Sequence, residues 1–267
     1  MKVTEIRIIG DGMKSKKLSI IVYSCLRNND MWSIFSFFFQ KYWGDCNYPV
    51  YLLTDNYKAN EDYVFDDVFC IDDNWSTMMK KAIKTASTPY VMLFMDDYLL
   101  TQNVNNADIE NVLEIAEKEH AANVRLQSSY MIKPTRYENN KDCAVFLPGT
   151  AYSFSTQVGI WDSEFLMNHI KDGWSAWDFE RIGSMECLQK EQPLLLYKKY
   201  LFPYIEAIRK GKWLPIGVRL CKNNGITLDY QKRKRNSALE TLSIYTKAVI
   251  ISVAPNLVLD IQNKLQK

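Results

Sequence analysis

The chain has 267 residues, of which 47% are hydrophobic and 24% charged, and its formal net charge at pH 7 is +2. This composition is that of a globular protein with a full core, and it excludes a disordered chain or a small disulfide-stapled module. The six cysteines are scattered without a CxxC pair, so a structural zinc site is not expected. No secretory signal and no apolar run of about 18 residues is found, so we expect a cytoplasmic protein with reduced thiols.

The predicted elements of the first half alternate between strands and helices. Short runs rich in β-branched and aromatic residues predict strands, and apolar residues at helical spacing predict helices. The predicted strands are 18–24, 48–56, 66–73 and 89–100, and the predicted helices are 30–43 and 75–87. This order predicts an α/β fold whose central sheet is mostly parallel and is flanked by helices.

The predicted elements of the second half are a helix over 107–122, a strand over 123–128 and a strand over 151–161. Helices follow around 162–170 and 175–190, and the stretch 193–224 has few clear periods. The segment 130–150 contains Pro and Gly and is predicted to be a loop on the substrate side. The amphipathic tail from 237 is predicted to be interrupted at Pro255. It suits three roles, which are capping the core, dimerisation and lying on a membrane surface.

The two signs of charge lie in different parts of the sequence. Acidic residues gather between 55 and 97, and basic residues gather between 198 and 235. The basic region is either a solvated face or a surface that meets phosphates or a membrane. It carries no recognisable nucleic-acid motif, so a nucleic-acid partner is not expected.

Adjacent aspartates interrupt the most apolar predicted strand, "PYVMLFMDDYLL". Buried without compensation, Asp96 and Asp97 would repel each other, and one pKa would rise. Other predicted strands also end in polar groups, at Ser24 and Arg27, at Asp55, and at Asp73. Ligands of open parallel sheets bind at such carboxyl ends, and Mg²⁺ or Mn²⁺ uses one or two carboxylates together with substrate phosphates. The pair therefore predicts a cation-phosphate site, the alternative being that it caps a loop.

The segments "LSIIVYSCLRNN", "YLLTDN", "CIDDNWSTMMKKAI" and "YVMLFMDDYLL" together resemble nucleotide-sugar-dependent glycosyltransferases of the GT-A fold. The resemblance covers about residues 18–215 and is to bacterial enzymes that build surface polysaccharides such as capsule and O-antigen. It implies a cofactor, Mn²⁺ or Mg²⁺, held at an Asp-x-Asp-type motif. Here the motif is "MDDY", which departs from that spacing. Either aspartate is able to be the metal ligand. We favour Asp97, with Asp96 turned toward the ribose or sugar.

The resemblance also implies donor-binding residues. The end of the first strand, with Ser24 and Arg27, would cradle the nucleotide, and Asp55 would read the base or ribose. The "DNWS" segment would flank the donor through the side chains of Asp73, Trp75 and Ser76. Each has a structural alternative, because Asp55 suits a turn, Asp73 a helix N-cap and Trp75 the core.

On the acceptor side, "GWSAWDFERIGS" resembles the family's Trp-x-Phe-Glu element, with Trp177, Phe179 and Glu180 at the matching positions. Glu180 is predicted to be the catalytic base slightly ahead of Asp178, since an inverting transfer needs a carboxylate at the acceptor hydroxyl. The alternative is that both acids serve the helix N-terminus. Trp174 and Trp177 are predicted to contact the acceptor sugar, the alternative being that both pack in the core. Lys212, in "RKGKW", is predicted to neutralise the leaving diphosphate or else to lie in a solvated turn.

The resemblance implies an inverting, metal-dependent glycosyltransferase. Its donor would be a nucleoside-diphosphate sugar, and its acceptor a hydroxyl of a growing glycan, lipid-linked or free. Residues 1–235 would form the catalytic domain, with a nucleotide half at 18–100 and an acceptor half at 101–215, and 236–267 a helical extension able to contact the inner face of the plasma membrane. Two alternatives stay open, a non-catalytic binding scaffold and a sugar-phosphate nucleotidyltransferase. The latter is disfavoured because "YSCLRNND" has no glycine-rich phosphate loop.

Overall fold

The computed structural model describes residues 14–57, 63–127, 134–188 and 192–253. Its strands are β1 Leu18–Tyr23, β2 Val50–Thr54, β3 Asp67–Cys70, β4 Tyr90–Met95, β5 Tyr98–Leu100, β6 Asn123–Arg125, β7 Thr135–Arg136, β8 Cys143–Phe146, β9 Gly159–Asp162, β10 Leu194–Tyr197, β11 Tyr204–Glu206, β12 Ile208–Arg209 and β13 Lys212–Trp213. Its α-helices are α1 Asp30–Trp43, α2 Trp75–Ala86, α3 Asn106–Lys118, α4 Ser163–His169, α5 Ala176–Asp178, α6 Ser184–Glu186, α7 Pro215–Asn223 and α8 Ala238–Val253.

The main sheet confirms the predicted α/β class. Within the described residues it has nine strands in the order β3-β2-β1-β4-β9-β6-β10-β8-β7. Strands β1 to β4 pair in parallel, and β6 pairs in parallel with β10. Strand β9 runs antiparallel to both of its neighbours, and β8 is antiparallel to β10 and β7. Seven of the nine strands therefore run in one direction, with β8 and β9 reversed, and the carboxyl ends of β1, β2 and β4 meet at one edge.

Helices cover both faces of this sheet, and β1 shows why. Its Ile20 and Val22 pack in the cluster that contains α1 and α3, whereas Ile21 packs in the cluster that contains α2 and α4. Side chains alternate across a strand, so a strand buried on both faces must be apolar throughout. The helical spacing in α1 is likewise confirmed, because the large rings that it predicted to share a face, Trp32, Phe35, Phe39 and Trp43, are all buried.

The prediction of one continuous strand over 89–100 is wrong. Strand β4 ends at Met95, Asp96 and Asp97 form a turn, and β5 pairs with β11 in a separate two-stranded sheet. The turn is fixed by backbone bonds, since Asp96 N donates to Tyr23 O at 3.3 Å and Ala207 N donates to Asp97 O at 2.8 Å. The chain thus leaves the main sheet where its two carboxylates begin.

Three further boundaries differ from the sequence predictions. The segment predicted as a loop, 130–150, contributes β7 and β8 to the sheet, although 128–133 lies outside the described residues. The strand predicted over 151–161 is confined to β9, and the residues before it form turns and bends. The helix predicted over 175–190 ends at Glu186 and is widened by a π turn at Phe179–Gly183. Strand β8 pairs with β10, and β9 pairs with β4 and β6, so partners distant in sequence fix both strands.

The described part of the C-terminal region passes the start of α1 before it forms helix α8. Helix α7 is followed by a segment without regular structure, and α8 begins at Ala238. Residues after 253, including Pro255, lie outside the described residues. None of the described helices combines the length and the apolar character needed to cross a bilayer.

Candidate functional site

Asp96 is a buried carboxylate at the end of β4, with only 2% of its surface exposed. Ser24 Oγ, at the end of the neighbouring β1, donates to Asp96 Oδ2 at 2.5 Å and accepts from Trp32 Nε1 at 2.7 Å. Burial raises the pKa of Asp96 to about 6, while hydrogen bonds from Ser24 and Asn28 oppose that rise. The predicted residues Ser24 and Asp96 are therefore in direct contact.

Asp97 follows in the same turn but keeps a partly exposed surface. Burial raises its pKa well above the usual value, and the negative charges of Asp96 and Glu206 raise it further. A bound cation reduces the electrostatic repulsion between carboxylates that lie this close together. The described residues contain no group of three or more His, Cys, Asp or Glu able to hold a metal by themselves. The residues present therefore fit a divalent cation only if phosphate oxygens and water complete its coordination.

Asp55 holds the turn that follows β1. Its Oδ1 accepts from Leu26 N at 2.6 Å and from Asn56 N at 2.9 Å. These bonds fix the 3-10 turn Leu26–Asn28, on which Arg27 is exposed. In the structure Asp55 therefore holds a turn, and it also places Arg27 at the rim formed by β1 and β2.

The "DNWS" segment forms the N-terminus of α2. Asn74 is the N-cap, accepting from Thr77 N at 3.1 Å, and Asp73 precedes it in the chain. Trp75 is 7% exposed and packs against Phe179 with ring centroids 5.4 Å apart. Ser76 Oγ is buried and accepts from Gly173 N at 3.0 Å. The structure therefore places Trp75 and Ser76 in contacts that join α2 to the segment before α5.

Asp178 and Glu180 have different partners although they are two residues apart. Asp178 completes a capping box with Ser175, whose Oγ donates to Asp178 Oδ2 at 2.7 Å, and this bond lowers the pKa of Asp178. Glu180 Oε1 accepts from Thr156 N and Thr156 Oγ1, both at 2.7 Å, and from Ser155 Oγ at 3.3 Å. Among the described residues no donor bonds Glu180 Oε2. Glu180 is thus a carboxylate held by one oxygen, with the other oxygen available.

Gln157 connects β5, the strand after Asp97, to the segment 155–156 that holds Glu180. Its Nε2 donates to Tyr98 Oη at 2.9 Å, and its Oε1 accepts from Tyr204 Oη at 2.5 Å. The two tyrosine rings stack with centroids 4.7 Å apart. Burial raises the pKa of Tyr98, and the charges of Asp97 and Glu180 both add to the rise. Through Gln157 and its neighbour Thr156, the segment that holds Glu180 is therefore bonded to the residue that follows Asp97.

The remaining predicted residues lie farther out. Trp177 is 68% exposed, and Trp174 is half-buried with Lys171 Nζ 5.4 Å from its ring centroid. Lys212 is paired with Glu240 of α8, and this hydrogen bond lowers the pKa of Glu240 to about 2. In the structure Lys212 therefore stabilises the start of α8.

Two buried arginines near this site were not predicted. Arg125 Nη2 donates to the carbonyls of Tyr152 and Ser153 at 2.8 and 2.9 Å, which fixes the turn before Ser155. Arg233 is 6% exposed and pairs with Asp30. In the sequence Arg233 stands in a basic run that predicts a surface, and Arg125 lies in a short strand. The available signal was an arginine between apolar residues in "NVRLQS".

The sequence matches no known family model and no protein with a curated description. Among solved structures, TarS 1–349 of S. aureus in complex with UDP-GlcNAc has 11% identity and a TM-score of 0.47, over 74% of this chain and 60% of that one. A cytidylyltransferase from Leptospira borgpetersenii has 11% identity and a TM-score of 0.44, over 89% and 97%. The bifunctional IspDF from Campylobacter jejuni has 13% identity and a TM-score of 0.35, over 59% and 44%.

This chain spans about three fifths of the TarS 1–349 structure, with 60% of that chain covered. All three TM-scores are below 0.5, so these likenesses assign neither an activity nor a ligand to this protein.

Proposed function

We propose that the protein is a nucleotide-sugar-dependent glycosyltransferase that moves a sugar from a nucleoside diphosphate to a glycan hydroxyl with inversion. The observation that carries the proposal is the pairing of two different carboxylate sites in one neighbourhood. Asp97 is crowded by other acids at the end of β4. Glu180 is oriented through one oxygen and joined to β5 by the loop that holds Gln157.

Glu180 has the geometry of a general base. Three donors fix Oε1. Because no donor among the described residues bonds Oε2, this oxygen can take the proton of the acceptor hydroxyl. As that proton moves to Oε2, the acceptor oxygen forms a bond to the anomeric carbon on the face opposite the diphosphate. The bond from the anomeric carbon to the phosphate oxygen breaks, and the nucleoside diphosphate leaves with its electron pair. A positioned base of this kind contributes about 10²- to 10⁴-fold to a rate.

Asp97 would hold Mn²⁺ or Mg²⁺, with Asp96 beside it. When bound there, such a cation would supply positive charge for the leaving diphosphate. Asp96 is fixed by Ser24 and is nearly inaccessible, so it would stabilise the turn without contacting the donor. Asp97, in contrast, is partly exposed. Arg27 stands at the same rim for the nucleotide. A role for Lys212 at the diphosphate requires that its ammonium exchange Glu240 for phosphate.

The proposed acceptor is a growing glycan, which the exposed Trp177 would meet near Glu180. A lipid-linked acceptor would bring the protein to a membrane surface. Leu239 and Leu242 of α8 are 79% and 61% exposed, and Lys234 and Arg235 just before this helix are also exposed. Exposed apolar residues beside basic ones suit an anionic bilayer. These features support a peripheral contact through α8.

Thermal-shift titration tests the donor part of the proposal. UDP and GDP are each added with Mn²⁺ and with a chelator to the wild-type protein and to Asp97→Asn. We expect at least one nucleotide to raise the melting temperature with Mn²⁺, because a ligand that binds only the folded state stabilises it. The metal-dependent part of the rise should disappear in Asp97→Asn. The proposal fails if neither nucleotide stabilises the protein with metal.

The same titration, together with an assay of nucleotide release, separates the enzyme from a scaffold. A scaffold would bind nucleotide without releasing it from any sugar donor, and its affinity would be the same in Asp97→Asn. A glycosyltransferase should release nucleoside diphosphate from a cognate donor, slowly to water and faster with acceptor. That release is measured by phosphorus NMR on a panel of UDP and GDP sugars.

A further inference from the structure

The segment 155–158, here called the base-holding loop, carries the three donors that fix Glu180 Oε1. Thr156 supplies two of these donors and Ser155 the third. The loop lies outside the strands, since β9 begins at Gly159. Backbone outside a strand ladder takes its position from individual hydrogen bonds. The orientation of Glu180 therefore depends on the bonds that fix this loop.

Gln157 fixes the base-holding loop through both its backbone and its side chain. Its backbone N donates to Ser155 Oγ at 3.1 Å, which leaves the Ser155 hydroxyl hydrogen for Glu180 Oε1 at 3.3 Å. Its Nε2 donates to Tyr98 Oη at 2.9 Å, and its Oε1 accepts from Tyr204 Oη at 2.5 Å. The amide thus uses a donor and an acceptor at once, and an apolar side chain in its place would form neither bond.

The two tyrosines that hold Gln157 belong to the small sheet that also carries Asp97. Tyr98 begins β5 directly after Asp97, and Tyr204 begins β11, the antiparallel partner of β5. Their rings stack with centroids 4.7 Å apart and are 6% and 5% exposed, so neither can move without repacking of its surroundings. Ala207 N, just after β11, donates to Asp97 O at 2.8 Å. One two-stranded sheet therefore fixes the turn of Asp97 and, through Gln157, the base-holding loop.

We propose that Gln157 is a positioning residue for the transfer, which acts through the base-holding loop to keep Glu180 at a fixed place relative to Asp97. The inference rests on the proposed function, because it takes Glu180 as the base and Asp97 as part of the donor side. In an inverting transfer the base and the leaving group lie on opposite faces of the anomeric carbon, so their relative placement sets the rate. Gln157 should thus affect the chemical step and leave donor affinity unchanged.

A double-mutant cycle on the full chain tests the inference. The measured rate is the release of nucleoside diphosphate from the cognate sugar of the UDP and GDP panel, with water as acceptor and enzyme in excess over donor. Gln157→Met should lower this rate about 10- to 10²-fold, as for a small misplacement of a reacting group. In a Glu180→Gln background the same change should lower it less than about twofold, because a base that is absent cannot be misplaced.

Two further measurements separate positioning from a general loss of structure. Isothermal titration with UDP or GDP and Mn²⁺ should give the same affinity for Gln157→Met as for the wild type. Tyr98→Phe removes the hydroxyl that accepts from Gln157 Nε2 and keeps the stacked ring, so it should lower the rate in the same way. Gln102→Met, the same replacement at an exposed position shortly after β5, is the matched control and should keep the wild-type rate.

The outcomes separate this inference from the proposed function. If the wild-type protein releases nucleoside diphosphate from no sugar of the panel, the proposed function fails and this inference fails with it. If the wild type is active but Gln157→Met leaves the rate unchanged, or lowers it by the same factor in both backgrounds, only the inference is overturned. A fall in nucleotide affinity in place of the fall in rate would overturn it as well. If Gln157→Met does not fold, the cycle with Tyr98→Phe decides in the same way.

Discussion

Asp96 and Asp97 are adjacent but have different surroundings. Asp96 is enclosed by Ser24 and Asn28 and is 2% exposed, whereas Asp97 is partly open and faces the charge of Glu206. One carboxylate is thus built into the structure and the other is available to a ligand. This difference supports Asp97 as the metal ligand.

The raised pKa of Asp96 predicts a pH-dependent stability of the metal-free protein. Its pKa is about 6 in the folded state against a usual 3.8, so between pH 4 and 6 the folded state binds more protons than the unfolded state, and stability falls as pH rises. Two pKa units correspond to about 3 kcal/mol. Asp96→Asn, which keeps an oxygen for Ser24, should therefore stabilise the protein relative to wild type at pH 7.5 but not at pH 4.

Urea unfolding in a chelating buffer at both pH values measures this difference. Lys234→Met, at an exposed position, is the control. An equal effect of Asp96→Asn at the two pH values would contradict the prediction that ionisation of Asp96 destabilises the folded protein.

Glu180 and Asp178 make opposite predictions because their hydrogen bonds differ. Glu180→Gln should lower kcat about 10²- to 10⁴-fold with little change in donor KM, since the amide cannot take the acceptor proton. Asp178→Asn removes part of a capping box, so it should cost about 1 kcal/mol of stability and leave kcat within a few-fold. Steady-state kinetics and urea unfolding of both variants check this. The reverse order of effects on kcat would make Asp178 the base.

At the scale of elements, helix α7 is packed closely against the β11–β12 connection. A Cβ added at Gly217 would lie 2.8 Å from Ala207 O and 2.9 Å from Ala207 Cβ. Ala207 N also bonds Asp97 O, so this contact supports the turn of the site. Gly217→Ala should therefore destabilise the protein by about 1–3 kcal/mol through overpacking, although alanine favours a helix by about 1 kcal/mol over glycine.

Urea unfolding measures the effect of Gly217→Ala. Ile216→Ala, at a 45% exposed position of the same helical turn, is the control and should change stability by less than about 0.5 kcal/mol. Unchanged or increased stability of Gly217→Ala would contradict the packing described for α7.

Elements with local signals could be predicted from the sequence, and those fixed by distant partners could not. The buried faces of β1 and α1 follow from the spacing of their own apolar residues. In contrast, β5 leaves the main sheet because its partner is β11, about a hundred residues later. Strand β8 likewise depends on β10. A sequence window that contains only one of two partners cannot indicate such a pairing.

The residues of the candidate site also differ in whether a local signal in the sequence could reveal them. Asp96 and Asp97 could be found because carboxylates in an apolar run conflict with burial. Arg233 could not, since five polar residues in a row predict a surface and only the bridge to β13 turns one of them inward. Thr156, which holds Glu180, lies in the segment 151–161, which the sequence predicts to be a strand but which forms turns and bends at that point.

At the scale of the whole molecule, basic and apolar side chains around the start of α8 predict binding to anionic membranes. Each basic residue near such a surface contributes about 1 kcal/mol. The protein should float with vesicles that contain phosphatidylglycerol and should not float with phosphatidylcholine alone. The double variant Leu239→Ser and Leu242→Ser should bind less, whereas Phe37→Ser, at a 42% exposed position on α1, should bind normally. Equal flotation of all three proteins would contradict a contact through α8.

The most direct test of the proposed function is a crystal structure with UDP or GDP and Mn²⁺, whichever nucleotide stabilises the protein. The anomalous signal of manganese locates the cation without reference to the sequence. We expect it beside the Asp97 carboxylate and the diphosphate, with Glu180 Oε2 facing the position of the donor sugar. A nucleotide bound away from the end of β4, or a cation without contact to Asp97, would contradict the account.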